Sequence, residues 1–119
     1  MQERPNVIVD KTFEFALLIV EFAEKLESNK KYVIANQLLK SGTSIGANVR
    51  EAQNAESKAD FIHKMKIAAK EADETEYWLL LCQKSENYPD CEGLQKEVKE
   101  IVKILSKIIA SSKNKSLTN

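Results

Sequence analysis

Residues 41–51 read Ser-Gly-Thr-Ser-Ile-Gly-Ala-Asn-Val-Arg-Glu, SGTSIGANVRE, and contain GTSIG, a literal G-x-S-x-G with Ser44 in the nucleophile position. A nucleophile elbow needs a strand, a sharp turn and a helix, so that strain presents the serine. Here the flanks are ANQLLK and ANVREA, helix formers in helical register, and no β-run precedes Gly42. The order Ser44, Asp60, His63 mimics a hydrolase triad, but Asp60 and His63 fall on one helix and no sheet is available for an oxyanion hole. The segment therefore reads as the middle of a helix. Its glycines then need another reason, since each costs about 1 kcal/mol relative to alanine in a helix interior. Gly42 and Gly46 lie one helical turn apart and share a face. Without side chains they let a neighbour come close. The expected neighbour is an aromatic from another helix, Trp78 or Phe61.

Working outward, the same periodicity covers the chain. After Pro5 and Asn6, a first helix carries two adjacent apolar stripes, Phe13, Ala16, Leu17, Val20 and Phe15, Ile19, Phe22, Leu26. That is a wider apolar face than a surface helix needs. A polar loop, residues 27–31, leads to a second helix from about Tyr32 to about Asn54, with Ile34, Leu38, Ile45, Val49 and Ala52 inward. Ser57-Lys58-Ala59-Asp60 is an S-x-x-D capping signal for a third helix, Lys58 to Lys84, with Phe61, Met65, Ala68, Ala72, Leu79 and Cys82 inward. Pro89 forbids its continuation. Leu94, Val98, Ile101, Leu105 and Ile108 give a fourth helix a 4-3-4-3 seam. Residues 112–119 are polar and read as a frayed tail. Four helices with short connections predict one all-α domain over residues 1–119, an up-down-up-down antiparallel four-helix bundle.

Composition supports this and narrows function. Three Gly and two Pro in 119 residues leave few helix breakers. The 18 basic and 18 acidic residues cancel, whereas nucleic-acid binders usually show a basic excess. Cys82 and Cys91 form neither a metal motif nor a disulfide scaffold. No signal segment or membrane-length apolar run is visible, so the expected setting is cytoplasmic with reduced thiols. No small-molecule substrate or cofactor motif is evident.

Two features carry site candidates. On the second helix, Ser41, Ser44, Asn48 and Glu51 form a small-polar stripe. On the third, Ile67, Glu71, Glu74, Trp78 and Leu81 place two carboxylates between apolar neighbours. Three readings compete: solvent exposure; a hydrogen-bond network of Ser44, Asn48, Glu51, Glu71 and Glu74 with partners such as Arg50, within or between subunits; and a metal site. A di-iron bundle needs two Glu-x-x-His motifs, and a chain with one histidine cannot supply them. The second feature is Lys99, Lys103 and Lys107, at four-residue spacing near Lys96, Lys113 and Lys115. It reads as a solvated face or as a nucleic-acid contact.

Gln37–Ser41, Ser44–Glu51, Asp60-Phe61 and above all Ala68–Leu80, AAKEADETEYWLL, resemble the bacterial S23 ribosomal protein, or 23S rRNA intervening-sequence protein, family. The resemblance implies an up-down bundle, homopentameric rings, and a bacterial intracellular protein with no established enzymatic activity. A related branch, basic where this chain is neutral, serves diversity-generating retroelements and binds a reverse transcriptase and nucleic acid. Lys40 and Ala52 stand where the family often has arginine and glycine. The expected function is thus a non-enzymatic homo-oligomeric interaction module, the apolar stripes left over by the bundle forming its interface. RNA or DNA binding through the fourth helix is the alternative.

Overall fold

The computed structural model describes residues 6–118, and side chains for residues 6–114. The chain forms four helices, α1 (Val7–Ser28), α2 (Tyr32–Ala52), α3 (Lys58–Lys84) and α4 (Glu92–Thr118). Each packs against its neighbour in sequence, and α4 closes onto α1. The pairings run antiparallel throughout: Asn6 meets Gln53 while Ile19 meets Gly42; Ser41 meets Thr75 while Glu51 meets Lys64. Lys11 meets Glu97, while Leu18 and Phe22 line a groove with Cys91 and Leu94. The bundle measures 53 × 30 × 20 Å.

Local chemistry sets the ends. Asn6 caps α1 by accepting the Val9 N–H through its side chain. At the other end the Lys31 N–H donates to the Leu26 carbonyl (2.8 Å) and the Lys30 N–H to the Glu27 carbonyl (2.9 Å). This is a Schellman stop, and Lys30, at φ 62°, takes the left-handed position that glycine usually fills. Ser57 caps α3 by accepting the Asp60 N–H (3.0 Å), and the Asp60 carboxylate in turn accepts the Glu56 N–H. α3 ends at Lys84, well before Pro89; Asn87, at φ 65°, turns the loop instead. α4 continues through the polar segment from Ser112 to Thr118, assigned to a tail by its polarity alone. That segment holds no Gly or Pro to stop a helix. Asn119 lies outside the described residues.

The core is one cluster. Phe15, Ile19, Phe22 and Leu26 from α1 meet Leu38, Ile45 and Val49 from α2, Met65 and Leu79 from α3, and Val98, Ile101 and Leu105 from α4. Of the two α1 stripes, only the second points inward. Phe13, Leu17 and Val20 face solvent. Val102, Ile104 and Ile109 of α4 are half-buried and pack against the core. They lie just beside the seam, where the flanking helices reach them.

Candidate functional site

The glycines of the opening segment sit where α2 meets α1. A methyl group on Gly42 would stand 2.8 Å from both Cγ1 and Cγ2 of Ile19, and one on Gly46 would stand 3.2 Å from the Thr12 carbonyl oxygen. The neighbour is therefore an isoleucine side chain and a helix backbone, not an aromatic. The expectation of Trp78 or Phe61 is corrected, because α2 turns its glycines to α1 while both aromatics are on α3. Thr12 can lie buried there because its hydroxyl donates to the Ile8 carbonyl at 2.7 Å.

The face of α2 that meets α3 carries the polar stripe, and the expected network does not form within the subunit. Ser44 donates to the Lys40 carbonyl (2.6 Å) and Asn48 to the Ser44 carbonyl (2.9 Å), each within its own helix. Glu51 pairs with Lys64 at 3.5 Å. Glu74 accepts the Trp78 indole N–H (3.2 Å), and Glu71 is half-buried beside them. Arg50, the suggested partner, is exposed on the α1 side and borders a groove with Phe13 and Gly46. The stripe is satisfied locally because serine and asparagine one turn after a carbonyl reach it more easily than a second helix. The polar link between α2 and α3 is instead Ser41–Thr75, both fully buried, with hydroxyls 3.0 Å apart. Thr75 commits its single proton to the Glu71 carbonyl at 2.8 Å. Ser41 then supplies the proton of the shared bond. Thr75 escaped the periodicity reading because threonine on an apolar stripe looks like a gap; its place between Ala72 and Leu79 was the available signal.

The hydrolase constellation is dispersed. Ser44 is inside an unbroken helix with its hydroxyl engaged. Asp60 belongs to the α3 cap, about 22 Å along the bundle at about 1.5 Å per residue from the Ser41–Thr75 contact. His63 is exposed. Both thiols are free and buried. Burial, with Cys91 nearby, pushes the Cys82 thiol up to about 12; burial, with Asp90, raises Cys91, whose S–H donates to the Leu79 carbonyl (3.3 Å). Neither is a nucleophile at neutral pH. Among the described residues no cluster of three or more His, Cys, Asp or Glu side chains is placed to hold a metal.

What remains at the surface is apolar and charged. Phe13 and Leu17 are each 53% exposed, and Val20 of α1 and Leu39 of α2 are exposed as well; Tyr77 (56%), Leu80 and Leu81 are exposed on α3. Lys99, Lys103 and Lys107 are all exposed on α4. Further along, contact with the Lys66 side chain holds the Lys113 ammonium below the ordinary lysine value. Lys115 lies outside the residues whose side chains are described. No helix among the described residues is long and apolar enough to cross a membrane.

By class the structure is an antiparallel four-helix bundle that carries large apolar side chains on the outward faces of α1 and α3. The family model for 23S rRNA-intervening sequence protein matches residues 4–107, and the chain belongs to that family. A solved structure from Bacteroides thetaiotaomicron, described as a protein of unknown function from the S23 ribosomal protein family, is 48% identical. The match covers 86% of this chain and 97% of that one, with a TM-score of 0.82. No curated protein matches.

Proposed function

We propose that this chain is a non-enzymatic, cytoplasmic, homo-oligomeric interaction module that assembles into a closed ring. The observation that carries the reading is the outward apolar surface of α1 and α3, large side chains that the bundle leaves uncovered. Contiguous exposed apolar area on a soluble domain is costly and marks an interface. A subunit count of five is favoured by family resemblance. The engagement of Ser44 and the raised thiols of Cys82 and Cys91 support a role without catalysis. Light scattering at micromolar concentration tests the assembly: a discrete multimer is expected, and a monomer overturns the reading.

The second reading, nucleic-acid binding, has one specific observation in its favour. Lys99, Lys103 and Lys107 are exposed on the helix whose Lys113 already crowds against Lys66. Filter binding to structured and single-stranded RNA across a salt series tests it. Phosphate contacts give affinity that falls steeply with salt, and absence of any salt-dependent binding rejects the reading.

A further inference from the structure

The two cysteines of the chain come together at the α3–α4 turn. Cys82 lies in the last turn of α3. Cys91 immediately precedes α4, where its carbonyl accepts the Gln95 N–H (3.0 Å). Asn87, in the left-handed region, and Pro89 bring the chain back between them. Beside the turn the Gln95 side chain donates to that of Gln83 (3.0 Å) and holds the two helix ends in register.

This register sets the sulfurs against one another. The Cys91 S–H donates to the Leu79 carbonyl at 3.3 Å. A helical side chain covers the turn on the N-terminal side of its own Cα. The Cys82 side chain therefore lies over the turn that Leu79 begins, against the place that Cys91 reaches. Both residues are buried in the same cluster. They differ in access. Cys91 lines the α1–α4 groove with Leu18, Phe22, Lys25 and Leu94, and Cys82 is no part of that lining.

We propose that Cys82 and Cys91 are a redox pair, which a low-molecular-weight disulfide converts to an internal disulfide bond across the α3–α4 turn. Cys91, at the groove, loses its proton to solvent and attacks one sulfur of the reagent. One thiolate of the reagent leaves, and a mixed disulfide stands on Cys91. The Cys82 thiolate then attacks the Cys91 sulfur and displaces the second. Two protons are released, and two electrons pass to the reagent, which ends as two thiols. Burial makes the first step slow and favours it at alkaline pH. Position helps the second, because Cys82 already stands beside the sulfur it attacks. The bond closes a loop of about ten residues and ties the end of α3 to the start of α4. It also replaces the S–H contact with the Leu79 carbonyl, so the oxidised and reduced chains differ at the wall of the groove.

The test incubates the full chain with hydroxyethyl disulfide in native buffer at mildly alkaline pH. Intact mass and peptide mapping without reductant follow the products. The expected product has lost two hydrogens, carries no adduct and yields one cross-linked peptide joining Cys82 to Cys91. Its melting temperature is higher than that of the reduced chain and returns when a dithiol reductant is added. Cys82→Ser is expected to stop at the mixed disulfide on Cys91. Cys91→Ser is expected to take up the reagent at least about tenfold more slowly, since its remaining thiol does not line the groove. Thermal melts check that both variants are folded, and the result on the parent chain does not depend on them. A parent chain that keeps both thiols overturns the pair. So does one that gathers adducts on both cysteines without a cross-link, or one that links two copies instead. Equal uptake by the two serine variants overturns Cys91 as the point of entry.

Discussion

Helix α1 has two flanks, and they are built differently. Toward α2 it meets glycines: Ile19 fills the space over Gly42, and its own backbone at Thr12 lies against Gly46. Toward α4 it stands off. A groove of about 490 Å³, lined by Leu18, Phe22, Lys25, Cys91 and Leu94 among others, separates the two helices. The bridge there is a long side chain, Lys11, reaching Glu97 at 3.3 Å and Glu100 at 2.9 Å. The contrast shows what a helix pair requires of its sequence. Close approach needs particular small residues in one register, and any addition is felt at once. A stand-off contact joined by flexible charged chains accepts many sequences and contributes little stability.

The largest effect expected concerns the open flank, and it shows that the groove stops short of the core. Cys91 borders the groove yet is buried, and Cys82 beside it has its thiol pushed up to about 12. At pH 8 that leaves a thiolate fraction on the order of 10⁻⁴, against roughly a quarter for a free cysteine. Labelling of Cys82 by a disulfide reagent should therefore be at least about a thousandfold slower in the folded chain than in denaturant. Comparable rates in both would mean that the α1–α4 flank opens freely.

Next in size are substitutions on the closed flank. Gly46→Leu should destabilise by about 1–3 kcal/mol or more, the usual range for overpacking, measured by urea unfolding. A variant as stable as the parent would show that α1 can simply move away.

Smaller, and more discriminating, are the alanine variants. Alanine gains about 1 kcal/mol in helix propensity over glycine. At Gly42 the added methyl meets two carbons attached to the same Cβ of fully buried Ile19. No rotation about the outer torsion removes both, and χ1 is stiff. Gly42→Ala should be a net loss of about 0.5–2 kcal/mol. At Gly46 the contact is 3.2 Å, with backbone, and relief takes a few tenths of an ångström. Gly46→Ala should stay within about 0.5 kcal/mol of the parent as the two effects oppose each other. The reverse order of the two variants would contradict this account of the seam.

The smallest effect belongs to the ion pairs. The hydrogen bond from Lys11 holds the Glu100 carboxyl below the ordinary carboxylate range, and the same contact raises Lys11. The Glu100 contribution is present above the unfolded carboxyl value and is lost as pH falls through the lowered folded one. The Lys11 contribution is lost as pH rises above the ordinary lysine value. Lys11→Met should flatten the acid limb of the melting-temperature profile slightly. It should also change the midpoint at pH 7 less than Gly42→Ala does.

Much of the fold could be read in the chain because helical periodicity is a local signal. The S-x-x-D cap, the inward stripe of α1 and the seam of α4 each stand within a few residues of one another. Which of α1's two stripes points inward is not local: it depends on where α2 and α4 lie, and Phe13 and Phe15 look alike until those neighbours are placed. The glycine pair announced close approach but not what approaches, since that is set by the rotation of α2 about its own axis. The polar stripe was undecided within the subunit for a related reason. Ser44 and Asn48 have carbonyls of their own helix within reach, and a pattern of polar residues does not say whether their bonds are local or long-range.

The meeting of Ile19 with Gly42 also bears on how such a chain changes over time. The two positions together hold one side chain's worth of space, divided between a large residue and none. The atoms that meet a methyl at 42 are both γ carbons of Ile19, and valine keeps both, so Ile19→Val does not clear the way. Only a change that removes them, such as Ile19→Ala, does, and it leaves a cavity when it comes first, whereas Gly42→Ala coming first leaves an overpacked seam. Drift at this seam is thus coupled: either single change passes through a destabilised state, and positions 19 and 42 change together or stay as they are.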